Sequence, residues 1–157
     1  MGKINMQKVL TCGLIAGVVL VAVDFVLYNI ILKDQMTAAM TALSKPAMTT
    51  AQIPWFVALD LISGVFLVWM YAAVRPRFGA GPGTAAKSAI ALWFLAGVLG
   101  SLYMWPMSLF PRNLMIMQIV GMLVAYVLAS VVGAKFYTEG AGMGAGMGAG
   151  AGMGSRM

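Results

Sequence analysis

Residues 9–32 read VLTCGLIAGVVLVAVDFVLYNIIL, 24 positions in which Asp24 is the only charge. A helix needs about 20 mainly apolar residues to cross a hydrocarbon core of roughly 30 Å, and this stretch supplies them. Three similar runs follow: 53–74 with one charge, Asp60, and 88–110 and 113–134 with none. All four are continuous rather than alternating, unlike barrel strands, and a helix satisfies every backbone polar group within itself, as lipid demands. The expected fold is therefore all-α and integral to a membrane. Residues 1–138 form an up-down bundle of four transmembrane helices, and 139–157 a flexible Gly/Ala/Met-rich tail with no fold of its own.

Composition agrees. Hydrophobic residues make up 62% of the 157 and charged residues 9%, against roughly 45–50% and 25% in soluble domains. So few charges cannot cover a water-soluble fold of this size. With no His, one Cys and four carboxylates, the usual zinc and nucleophile–base sets are missing, and no enzyme activity or cofactor is expected. Disulfides within the chain are impossible, so Cys12 reads as a small packing residue. The first run is too long for a cleaved signal peptide, and Gly2 lacks the context for myristoylation.

Flanking charge sets direction. With the N-terminus inside, Lys3, Lys8, Arg75, Arg77, Lys87, Lys135 and Arg156 fall on the cytoplasmic side, and Lys33, Lys45 and Arg112 on the other. The excess of Lys and Arg belongs in the cytoplasm, so both termini are expected there. The first connection, 33–52, has room for an interfacial helix at 34–43 carrying Met36, Met40 and Leu43 on one face. The second, 75–87, reads as a turn-rich loop. The third is expected to be only Pro111-Arg112. A faint likeness of residues 14–18 to 94–98 is better taken as two independent Gly-containing spans than as a repeat.

Polar residues in the spans share a depth. Asp24 and Asp60 sit roughly 10–12 Å below the outer surface at 1.5 Å per residue, with Gln118 and Ser101 at roughly 8 and 13 Å on the same rise. Facial position agrees. Gly13, Gly17, Asp24 and Tyr28 line one stripe of span 1, and Asp60, Ser63, Gly64 and Tyr71 one face of span 2. Gly97 and Ser101 share a face of span 3, and Gln118 leads into a seam of Gly121, Ala125, Ala129 and Gly133 on span 4. Small residues let membrane helices approach closely, so the polar layer is expected on the packed side.

An ionised Asp at this depth costs on the order of 3 kcal/mol, and two brought together would share a proton. Three readings stay open: a carboxyl pair fixing helix register, a site for a proton, cation or cationic solute, and a partner for a basic group on another protein.

Weaker signals have simpler explanations. Fifteen Met include Met36 and Met40 at a spacing that suits Cu(I), but Met is first a flexible packing residue. Arg75, Arg77 and Lys87 form a basic rim for anionic lipid headgroups, worth about 1 kcal/mol each. The Gly-rich loop beside them lacks a phosphate-binding Gly-Lys-Ser/Thr ending. The net charge of +6 follows from topology, with no surface for nucleic acid.

The run WMYAAVRPRFGAGPGTA at residues 69–85 resembles the second-helix exit of a group of small uncharacterised bacterial four-span inner-membrane proteins. LIAG at 14–17, WFL at 93–95 and LFP at 109–111 extend the likeness over residues 1–138. The resemblance implies a bacterial inner-membrane placement and attaches no activity to any residue. The expected function is that of a non-enzymatic membrane protein, an accessory subunit or homo-oligomer packed through its small-residue seams. The alternative is a small transporter or channel for protons, cations or a cationic solute using Asp24 and Asp60.

Overall fold

The computed structural model describes residues 4–46 and 49–138. Met48, Lys3, Arg156 and the expected low-complexity tail lie outside them. Among the described residues there is no strand. α1 (Met6–Val26) runs into a π-helical turn, Leu27–Ile31, and a short α2 (Lys33–Ala42) comes next. α3 is Ile53–Phe78. The third span is built from α4 (Pro82–Trp93), a second π-helical stretch (Phe94–Leu99) and α5 (Gly100–Met104). α6 is Arg112–Phe136. Four stretches are long and apolar enough to cross a membrane: Met6–Ile31, Thr50–Phe78, Pro82–Met107 and Arg112–Phe136.

Local chemistry sets most ends. The Asn5 side chain accepts from the Lys8 N–H at 3.1 Å, satisfying one of the donors that a helix start leaves open. Before α3, Gln52 Oε1 accepts from the Thr49 N–H at 2.7 Å, and Pro54 stands in the first turn, where no N–H is needed. The interfacial helix forms where expected, and Met36 packs into a cluster with Leu27, Leu32, Ala39 and Leu114.

Two expected connections are corrected. The loop at 75–87 shrinks to residues 79–81, because α3 continues through Pro76 to Phe78 and α4 begins at Pro82. Pro76 is tolerated in the last turns, while Gly79 and Gly81, at φ 83° and 137°, make the reversal that a side chain would resist. The third connection is longer than Pro111-Arg112. Pro106 cannot continue the helical hydrogen bonding, so the span closes in a 3-10 turn at Trp105–Met107 and reverses at Ser108, φ 50°.

The spans are apolar all round, so small residues rather than an apolar stripe choose the packed faces. A Cβ on Gly64 would strike the Gly17 N and the Gly13 carbonyl oxygen, and one on Gly17 would lie 2.7 Å from the Leu61 Cα. Spans 1 and 2 therefore meet backbone to backbone. Span 4 closes on span 1 where Gly133 faces Ala16, Val68 and the Cys12 carbonyl, and where Gly121 faces Leu27. Ala125 and Ala129 are buried along the same seam. Spans 3 and 4 are joined by two directed bonds: the Ser130 hydroxyl donates to the Ala85 carbonyl at 2.9 Å, and the Trp93 indole N–H to the Ile119 carbonyl at 2.7 Å. Gly97 admits Met122 and the Trp93 ring beside it. Each span thus packs on the next and the fourth on the first, giving an up-down four-helix bundle.

At the end where residues 4 and 138 lie, Tyr137 is 4% exposed. Its hydroxyl accepts from the Asn5 N–H at 3.4 Å, its ring meets Tyr71 edge-on at 6.0 Å, and the Arg75 guanidinium lies 5.7 Å over it. The Tyr71 hydroxyl accepts from Gly81 N–H at 3.2 Å. Together these groups tie the chain start, the turn between spans 2 and 3, and the end of span 4.

Gly64→Ala is expected to cost about 1–3 kcal/mol by overpacking, read as a shifted unfolding midpoint in mixed micelles. Gly100→Ala, at a position with nothing within 4 Å of the added carbon, should stay within about 0.5 kcal/mol of wild type. Tyr137→Ala should cost about 3 kcal/mol in the same titration. Tyr137→Phe, which keeps the ring under Arg75, should cost only about 1 kcal/mol.

Candidate functional site

The backbone contact of spans 1 and 2 fixes what stands above it. Asp24 lies two helical turns beyond Gly17, and Asp60 one turn before Gly64. The Asp60 carbonyl itself abuts Gly17. Running antiparallel, the two helices bring the carboxyl groups of Asp24 and Asp60 within hydrogen-bonding reach of each other. Both residues are half-buried. Seven residues separate each from the loop-side end of its helix, about 10 Å at the α-helical rise, so the pair lies inside the apolar slab.

Three hydroxyls surround it. Tyr28 stands one turn past Asp24, on the π-helical turn, close enough to both carboxyls and to Tyr126 to interact electrostatically. A π turn holds one more residue than an α turn and is frequent at functional sites. Tyr126 of α6 interacts with the same pair and lies within hydrogen-bonding reach of Ser63 on α3. Tyr28 also packs among Leu27, Leu32, Ala39 and Leu114, beneath the interfacial helix. The site is thus walled by spans 1, 2 and 4 and covered on the loop side by α2. No basic side chain among the described residues acts on either carboxyl.

Two members of the expected layer, Gln118 and Ser101, are not joined to the carboxyls among the described residues. Gln118 sits half-buried near the start of α6, two turns from Tyr126. Ser101 lies on α5, the part of span 3 that has left its neighbours. The residue of α6 that interacts with the pair is Tyr126. It follows Ala125 in sequence but stands off the seam of Gly121, Ala125, Ala129 and Gly133, so the spacing of small residues did not point to it.

The packing residues Gly13, Gly17, Gly64, Gly97, Ala125, Ala129 and Gly133 are all buried between spans of this one chain, and Gly121 is half-buried there. Of the basic rim, Arg77 is exposed, Lys87 lies 5.4 Å over the Phe78 ring, and Arg75 turns inward over Tyr137.

Chemically, two carboxyls away from bulk solvent stay side by side when a proton or cation lies between them. The flanking hydroxyls can donate to a carboxylate or accept from a protonated or ammonium ligand. No His, Cys, Asp or Glu group of three or more that could hold a metal ion exists among the described residues.

Paired cysteines test this geometry. In a Cys12→Ala background, Asp24→Cys with Asp60→Cys should cross-link under copper phenanthroline. After cleavage at a protease site inserted behind Ser44, the two fragments should stay joined until reduced. Asp24→Cys with Ser101→Cys should fall apart under the same treatment.

No family model, curated protein or solved structure matches this chain.

Proposed function

We propose that this integral membrane protein is a non-enzymatic transporter or channel that takes up a proton or cation at the Asp24–Asp60 pair. One observation carries the reading: two carboxyl groups meet inside the apolar slab with hydroxyls around them and, among the described residues, no basic side chain acting on them. An isolated carboxylate at that depth costs on the order of 3 kcal/mol, so a second one beside it is stable only with a positive charge or a proton supplied from elsewhere. An intramembrane ionisable group is a functional group by default.

The accessory-subunit or homo-oligomer reading has less behind it. The seams that suggested it are used within one chain, where Gly64 meets Gly13 and Gly17 and Gly133 meets Ala16. The basic residues flanking the spans support a cytoplasmic position for the terminal end of the bundle. Arg77 and Lys87 would meet anionic headgroups there.

Proteoliposomes loaded with a pH-sensitive dye test the reading. After an imposed gradient, the wild-type chain should dissipate it faster than empty liposomes. Asp24→Asn and Asp60→Asn should each reduce the rate to the empty-liposome level while remaining monodisperse in detergent. Undiminished flux in both Asn variants, or none above background in the wild type, overturns the proposal.

A further inference from the structure

Beyond the π-helical stretch at Phe94–Leu99, the third span departs from the bundle. Its first half, α4, packs on α3 and α6, whereas α5 makes no comparable contact with either. Gly100 has open space where its Cβ would stand, and Leu95, Leu102 and Tyr103 are exposed. Along α3 lies an apolar recess of about 780 Å³ that runs from Met6, Leu10 and Leu14 of α1 to the gap between spans 2 and 3. Its walls there include Ser63 and Leu67 from α3, Leu92 and Ala96 from span 3, and Tyr126 from α6. Ser63 and Tyr126 are also the hydroxyls beside the carboxyl pair. The recess therefore has a hydrocarbon body, a polar inner end, and two acids next to that end.

We infer that the recess along α3 binds a lipophilic cation at its end between spans 2 and 3, its apolar body against Leu67, Leu92 and Ala96 and its charge turned toward Ser63, Tyr126 and the Asp24–Asp60 pair. The recess as a whole, its α1 wall included, lies in the size range of small-molecule sites, roughly 300–1,000 Å³. Charge complementarity selects the occupant. A lipophilic anion would meet two acids, and a neutral acyl chain would leave the acids and hydroxyls unused. A small hydrated cation would leave the apolar walls uncovered. A cation that spreads its charge over an apolar body gives up little hydration on leaving the interface and matches both ends. Because the recess opens sideways, such a molecule enters from the acyl layer and not through the α2-covered end. The inference rests on the reading of the carboxyl pair as a cation site and adds the class of ligand and its route.

Equilibrium dialysis of tetraphenylphosphonium against lipid nanodiscs tests it, with protein-free discs as the baseline and tetraphenylborate as the anion of matched shape. The wild-type protein should bind the phosphonium saturably, about one per chain, and the borate no more than empty discs do. Asp60→Asn should weaken phosphonium binding about tenfold or more, as loss of a charged partner does. Ala96→Trp, which fills the recess, should weaken it similarly without shifting the unfolding midpoint. Phosphonium uptake equal to that of empty discs, equal binding of the borate, or indifference to Asp60→Asn overturns the inference. The wild-type comparison of the two ions needs no variant to fold. If phosphonium binding is absent while Asp-dependent flux in proteoliposomes persists, only the lipophilic ligand is refuted. If that flux is absent too, the cation reading of the pair falls with it.

Discussion

Where spans 1 and 2 cross, nothing but hydrogen separates one backbone from the other, and the rest of the bundle is arranged around that contact. Lipid tails are as apolar as Leu, so the hydrophobic effect does not drive helices together inside a bilayer; close van der Waals approach does. Gly64 lying on Gly13 and Gly17 supplies that approach and fixes register at the same time. A shift of one residue along α3 would bring a Cβ against α1 and turn Asp60 about 100° around its axis. The tightest part of the molecule thus determines where its most costly side chains stand.

The other polar groups in the spans have a different use. The Ser130 and Trp93 donors each end on a carbonyl of the neighbouring helix, fastening span 4 to the first half of span 3. That side of the molecule is closed by hydrogen bonds and the opposite side by glycine. Between them α6 makes contact with both halves, placing Tyr126 at the centre. Among the described residues no basic side chain answers the carboxyl pair, and Tyr126 beside it forms part of the wall of the recess along α3. A rigid crossing and an opening at one depth are what a binding site in a bilayer requires: fixed ligating groups with a way in.

The four spans were legible because an apolar run of more than twenty residues with one charge at most has few other physical outcomes. The seams on spans 1, 2 and 4 were legible too, since Gly13, Gly17, Gly64 and Gly133 recur at helical spacing among large residues. What the pattern could not give was direction around the axis for residues away from a seam. Depth comes from counting along a helix, and on depth alone Gln118 and Ser101 join Asp24 and Asp60. Azimuth requires a packed face, which helices that are apolar all round do not advertise. Tyr126 was hidden for that reason, and because a lone hydroxyl draws less notice than an amide. The π turns at Leu27–Ile31 and Phe94–Leu99 also rotate the residues beyond them, so a uniform 3.6-residue wheel loses its phase after Val26 and Trp93. Proline misled in both directions. Pro76 stayed inside a helix because it fell in the last turns, while Pro106 ended one before the expected hairpin.

Tyr137 holds the amide of Asn5, so the first and last helices finish side by side. The backbone from Asn5 to Tyr137 is therefore close to a closed loop. A short tether between the two ends would complete the circle and leave every span with its present neighbours. New termini could then be opened in the exposed segment around Ser44 on the opposite face of the slab, reversing which side the ends emerge from while keeping the interior of the barrel of helices as it is.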